Sequence, residues 1–167
     1  IFDNFSNSTK KSISSLVEMG VKIIEGDITK PLEIINAVKD HEIVIHLAAK
    51  ISVSESISNP LQTYRVNVEG TKNILTACEK NNVKKLIAAS SAAVYGEGNP
   101  NVKLTEEAEL KPISPYGATK LAAENLGNLY AENFDLPVIS LRYFTVYGPR
   151  QRPDMAFSKF IRYNISN

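Results

Sequence analysis

Tyr116 and Lys120 stand four residues apart in "SPYGATK", residues 114–120, directly after Pro115. Four apart on a helix puts two side chains on one face. A free tyrosine titrates near pH ~10, too high for a general base at neutral pH. A lysine ammonium one turn away favours the phenolate, and so does a place in the first turn of a helix. Such a pair can move a proton. The bland reading of the spacing is an amphipathic helix that shows both residues to solvent. Nearby, the apolar run at 84–91 ends in Ser90 and Ser91. A hydroxyl at the carboxyl end of a parallel strand can share a proton with Tyr116 and hydrogen-bond a hydroxyl of a ligand. A serine-rich turn explains the two serines, but not their coincidence with the Tyr/Lys pair.

The elements that must position these groups follow from apolar patterning. Residues 21–28, 42–49, 84–91 and 136–144 are short, near-continuously apolar runs. They read as strands covered on both faces. Helical segments lie between them, at 10–19 and from Pro31 to Lys39, proline being tolerated in a first turn. In the longer segment 59–81, Leu61, Tyr64, Val68, Leu75 and Cys78 recur at helical spacing. In 115–133, Ala118, Leu121, Ala122, Leu126, Leu129 and Tyr130 do the same. Asn81–Asn82 and Asp135 followed by Pro137 supply the stops. Strands alternating with helices predict an α/β fold, a doubly wound parallel sheet.

Composition narrows the function classes. The 167 residues carry 19 Lys+Arg against 18 Asp+Glu, with no dense basic run for nucleic acid. No apolar stretch reaches membrane-spanning length, and the N-terminus does not read as a signal peptide. Cys78 is the single cysteine, which excludes an internal disulfide and a thiolate metal cluster, and its apolar setting predicts burial. No metal site is expected. A reducing cytoplasm fits this inventory.

One expected part has no counterpart. "IFDNFSN" reads as the end of a strand and a polar loop, and none of the eight glycines falls in G-x-x-G-x-x-G or G-x-G-x-x-G. "GEG" at 96–98 runs instead into Asn99–Pro100, a turn. In the 3-2-1-4-5-6 strand order the first strand lies centrally, beside the strand ending at Asp3 and the strand of 43–47. Its absence leaves two open edges inside the sheet. The expectation is that residues 1–167 are a fragment, a partial nucleotide-binding domain without the first strand, the glycine-rich loop and most of a C-terminal substrate lobe.

The motifs, taken in order, resemble the extended short-chain dehydrogenase/reductase family, and within it the NAD-dependent sugar-nucleotide epimerases and dehydratases. "DNFSN" at 3–7 is similar to the segment whose Asp contacts the adenosine ribose, and "GDI" at 26–28 to the adenine-contacting Asp-Ile. "HLAA" at 46–49 resembles the strand end lining the cofactor, "NVEGT" at 67–71 the family's Asn helix, and "RYFTVYGP" at 142–149 the loop closing over nicotinamide and substrate. The resemblance implies a Rossmann-like fold and NAD bound by Asp3, Asn4, Asp27, Ile28, Leu47, Ala48, Ala49, Asn67, Ser90, Tyr116, Lys120 and Tyr143. Asp3 favours NAD over NADP, because a carboxylate repels a 2′-phosphate. By the same resemblance Tyr116 is the acid/base, Lys120 binds the nicotinamide ribose and tunes Tyr116, and Ser91 orients the sugar hydroxyl. His46 is then a core or second-shell strand residue, and His41 a surface turn residue.

The resemblance also sorts the reactions. Dehydrating members place an Asp-Glu pair after the serine or threonine, and the related decarboxylases keep a Glu. This chain has Ala92–Ala93. A methyl group cannot move a proton, which disfavours both reactions and leaves 4-epimerisation of a UDP-sugar. "FTVYGPRQRPDMAF" resembles the UDP-glucuronate 4-epimerases more than those acting on UDP-glucose and UDP-galactose. Thr145 and Arg150 or Arg152 are then the contacts for a C6 carboxylate or the diphosphate. Alternatively the arginines only pair with Asp154. The family's dimers imply a homodimer through helices 59–81 and 115–133. Two rival classes stay open: a non-catalytic module that binds NAD weakly for want of the pyrophosphate loop, and an NAD(P)-linked reductase, which net NADH consumption with a ketone would favour.

Overall fold

The computed structural model describes residues 1–98, 101, 103–149 and 151–165. Five parallel strands form in two sheets. β1 (Phe2–Asp3) pairs with β2 (Ile24–Glu25), and β4 (Lys85–Ser91) lies between β3 (Ile43–His46) and β5 (Val138–Tyr143). The β3–β4 register sets His46 beside Ala88, and the β4–β5 register sets Ser90 beside Arg142 and Ser91 beside Tyr143. Within each sheet the carboxyl ends therefore point one way. Between β1 and β3 lies a cavity of about 720 Å³ whose lining includes Phe2, Ile24, Ile43, Ile45, His46 and Ala48. It stands where the strand-order argument puts the first strand of a Rossmann sheet, and no described strand fills it.

The helices are α1 (Ser14–Glu18), α2 (Pro31–Val38), α3 (Val53–Ser58), α4 (Pro60–Tyr64), α5 (Gly70–Lys80), α6 (Pro115–Asn133) and α7 (Ala156–Ile165). Asn82 and Asp135 adopt φ of 53° and 52°, left-handed residues that end α5 and α6 where the sequence places the stops. The segment 59–81, expected as one helix, is α4, a π-helical turn at Arg65–Glu69 and α5. α3 and α7 were not expected, although Phe157, Phe160, Ile161 and Ile165 of α7 recur at helical spacing. No helix among the described residues is long and apolar enough to cross a membrane.

Leu75, Cys78, Leu86 and Leu136 form the centre of the core, with Ile34 and Val38 of α2 packed on it. Cys78 is buried as expected, and desolvation pushes its thiol up to about 12. Two packing expectations need correction. The strands are not covered on both faces: Ile43, Ile45, Ile139, Leu141 and Tyr143 are all at least 36% exposed, because no described element packs on that side. The apolar stripes also misjudge which helix faces are inward. Leu61, Tyr64 and Leu129 are exposed, whereas α6 buries Gly117, Thr119, Lys120, Glu124 and Gly127. That buried face is polar because each long polar group meets a partner at the sheet.

Candidate active site

α6 starts with Ser114 as N-cap, its Oγ accepting from the Gly117 N–H, and Pro115 in the first turn. Gly117 is the point of closest approach to the strand side. A Cβ there would come within 2.6 Å of the Ala93 carbonyl oxygen, so only glycine lets the first turn of α6 dock on the turn after β4. That turn, a 3₁₀ segment Ala92–Val94, is capped by Ser91, whose Oγ accepts from the Ala93 N–H. The sequence thus brings Tyr116, Ser91 and the two alanines to one seam.

Lys120, one turn on, is 7% exposed, and its Nζ donates to the Ala89 carbonyl at 2.9 Å. Desolvation drops its ammonium to about 8. Among the described residues no carboxylate pairs with it, so the cost of burying the charge is left largely uncompensated. Lys120 therefore lies under the carboxyl end of β4. Beside it, Ser90 is buried and its Oγ has no hydrogen-bond partner among the described residues. Two polar groups with unspent capacity at one strand end suit a polyhydroxyl ligand such as a nicotinamide ribose.

His46 ends β3 at 6% exposure. The Thr71 hydroxyl gives its proton to the Asn67 carbonyl at 2.6 Å, so it accepts from His46 Nε2–H at 2.9 Å. Burial, with Lys120 nearby, drives the imidazole down to about 3. His46 is a neutral packing residue. His41 is an exposed turn residue whose Nδ1 bonds the Lys39 carbonyl.

At the other expected contacts the structure divides the set. Asp3, Leu47 and Ala48 line the 720 Å³ cavity, with Ala49 next in the chain. Asp3 Oδ1 accepts from the Phe5 N–H, and Asn4 Nδ2 donates to Asp27 Oδ2 at 3.0 Å. Asp27 Oδ1 takes the Thr29 N–H and hydroxyl, so its carboxylate is already well supplied with donors, and it titrates low despite desolvation. Ile28 is a core residue. Asn67 is 1% exposed and internally saturated: its Oδ1 accepts from Lys50 N–H, and its Nδ2 donates to the Lys50 carbonyl and to Thr119 Oγ1. Tyr143, the last residue of β5, and Thr145 beyond it are both exposed. Arg152 pairs with Asp154, and Arg150 and the Asn99–Pro100 turn lie outside the described residues.

Three residues at the site were not picked out by the sequence reading, and two of them, Arg142 and Ser56, carried no signal in the spacing. Arg142 of β5 holds both oxygens of the buried Glu124 carboxylate through Nε and Nη2, and its Nη1 donates to the Tyr95 hydroxyl and the Glu106 carbonyl. Ser56 of α3 is fully buried against α6. Glu124 stands four and eight residues after Lys120 and Tyr116, a spacing that could have marked it.

Known proteins resemble this arrangement over the whole described chain. The sequence model of the NAD dependent epimerase/dehydratase family matches residues 2–167. UDP-glucuronate 4-epimerase 2 of Arabidopsis thaliana is 39% identical over 165 residues, covering 96% of this chain and 38% of that protein. UDP-N-acetylglucosamine 4-epimerase of Methanobrevibacter ruminantium M1, solved with UDP-N-acetylmuramic acid, superposes with a TM-score of 0.93 at 35% identity, over 99% of this chain and 54% of that one. UDP-glucuronic acid 4-epimerase of Bacillus cereus, solved with UDP-glucuronic acid and NAD, gives a TM-score of 0.86 at 34% identity, over 99% and 54%. The chain thus spans between about two fifths and about half the length of these relatives.

Proposed function

This chain belongs to the NAD dependent epimerase/dehydratase family, and we propose that the whole protein is a UDP-sugar 4-epimerase with UDP-glucuronate as substrate. The observation that carries the reading is Lys120, buried under the end of β4 without a carboxylate partner and one turn from Tyr116. Burying an uncompensated ammonium is costly, and a site that uses its charge explains why it is kept. The relatives' named substrates and the bound NAD of the Bacillus cereus enzyme support the same reading.

Lys120, Ser90 and Tyr143 would hold the nicotinamide end of NAD, and Asp3, Asn4 and Asp27 the adenosine end. When bound, NAD supplies the reversible oxidation of the sugar at C4. Tyr116 takes the proton of the C4 hydroxyl on its phenolic oxygen and gives it back after the sugar has turned. Lys120 supplies positive charge one turn away, and Ser91 orients the hydroxyl. Ala92 and Ala93 offer no acid or base, which leaves the sugar otherwise intact. Thr145 and Arg152 face the C6 carboxylate, with Arg152 exchanging Asp154 for the ligand. Helices 59–81 and 115–133 form a homodimer, to which the exposed Leu61, Tyr64 and Leu129 contribute.

The test uses the full-length protein with UDP-glucuronate and with UDP-glucose, product sugars being resolved by chromatography. Conversion of UDP-glucuronate to its C4 epimer, abolished by Tyr116→Phe, is expected. Preference for UDP-glucose overturns the substrate, and a fully active Tyr116→Phe overturns the chemistry.

A further inference from the structure

The first turn of a helix has N–H groups with no intrahelical partner. In α6 each one is accounted for. Pro115 has none, Gly117 donates to Ser114 Oγ at 3.1 Å, and Ala118 already donates to the Ser114 carbonyl at 2.9 Å. The remaining one belongs to Tyr116. It donates at 3.1 Å to Oγ of Ser56, sixty residues earlier in the chain and 0% exposed. The Ser56 hydroxyl proton is committed to the Val53 carbonyl at 2.6 Å, so its lone pairs face Tyr116.

The carbonyl of Tyr116 is held as well. Thr119 Oγ1 donates to it at 2.8 Å and accepts from Asn67 Nδ2 at 3.0 Å. Thus both backbone polar groups of Tyr116 are fixed by buried side chains, and Gly117 closes the turn on Ala93. Helix stability needs less than this. A cap at Ser114 and solvent would satisfy the first turn, as they do in most helices. The Tyr116 N–H is tied directly to α3 through Ser56, and its carbonyl is tied through Thr119 of its own helix to Asn67 of the π-helical turn. Links that reach two other elements set its place, not merely its helicity.

We infer that Ser56 and Thr119 are positioning residues for Tyr116: they fix the height and rotation of its side chain at the end of β4, across the seam from Ser91. This rests on the reading of Tyr116 as the proton-transfer residue. Proton transfer is steep in geometry, and a misplacement of about 1 Å costs on the order of a hundredfold. Neither residue touches the substrate, so the loss falls on turnover and not on binding.

The experiment compares full-length wild type with Ser56→Ala, Thr119→Val and Thr119→Ser. It measures kcat and KM with UDP-glucuronate, bound NAD per protomer, the thermal midpoint, and hydrogen exchange of the Tyr116 amide. Ser56→Ala and Thr119→Val are expected to lower kcat by between about tenfold and about a hundredfold, with KM within about twofold and NAD content unchanged. The Tyr116 amide exchanges faster in Ser56→Ala while the rest of α6 does not. Thr119→Ser restores kcat to within about twofold. Faster Tyr116 exchange with an unchanged kcat overturns the inference, leaving Ser56 a cap alone. So does a kcat that falls only together with KM and melting temperature. If the wild type epimerises no UDP-sugar, the reading of Tyr116 fails, and the amide still decides the clamp: unchanged exchange in Ser56→Ala contradicts it, and faster exchange confined to the first turn upholds it.

Discussion

Replacing Lys120 by methionine should make the protein more stable and inactive. Burial lowers the ammonium from 10.5 to about 8, and at about 1.4 kcal/mol per pH unit that gap is worth about 3 kcal/mol against the folded state at neutral pH. The lost hydrogen bond from Nζ to the Ala89 carbonyl takes back about 1 kcal/mol. Methionine fills a similar volume without a charge, so a net gain of about 2 kcal/mol remains. The pH dependence is the sharper signature. Below about 8 both states hold the proton and the cost is constant. Between about 8 and 10.5 the folded state has released it and the unfolded state has not, so stability rises with pH across that window. Lys120→Met lacks this rise. Urea unfolding of full-length protein stripped of NAD, from pH 7 to 10.5, measures both effects. A Lys120→Met protein less stable than wild type at pH 7, with the same slope above pH 8, refutes the reasoning.

Acid should act through His46. Its imidazole titrates near 3 in the fold against the usual 6.5, so the unfolded chain binds a proton that the folded one refuses as pH falls below 6.5, with about 3 kcal/mol lost by pH 4.5. His46→Gln, which keeps a donor for Thr71, flattens this limb in urea melts at pH 4.5 to 7, and an unchanged limb contradicts the assignment. Charge placed on the exposed apolar residues of segments 59–81 and 115–133 should dissociate the proposed dimer. Leu61→Glu with Leu129→Glu is expected to halve the mass in light scattering, and an unaltered mass counts against that interface.

The sequence carried the fold class because strand runs, helix stops and the order of motifs agree with one another. α6 matches its expected bounds, and Lys120, one turn from Tyr116, is buried against Ala89 of β4. What stayed hidden was burial. Apolar periodicity pointed to Leu61, Tyr64 and Leu129 as inward, yet α6 buries Lys120 against Ala89 and Glu124 against Arg142. A polar side chain with a partner from a distant strand leaves no periodic trace in its own segment. Ser56 and Asn67 were opaque for the same reason. Their bonds to Tyr116 and Thr119 span sixty and fifty-two residues, and Asn67, expected to face a cofactor, spends its amide inside the protein.

Supplying UDP-glucuronate deuterated at C4 to the full-length protein tests the central claim most directly. The account predicts that the C4 epimer forms with the label still on C4 and with no NADH released, since Tyr116 exchanges only the hydroxyl proton. Loss of the label to water, its appearance at another carbon, or NADH rising with product would contradict it.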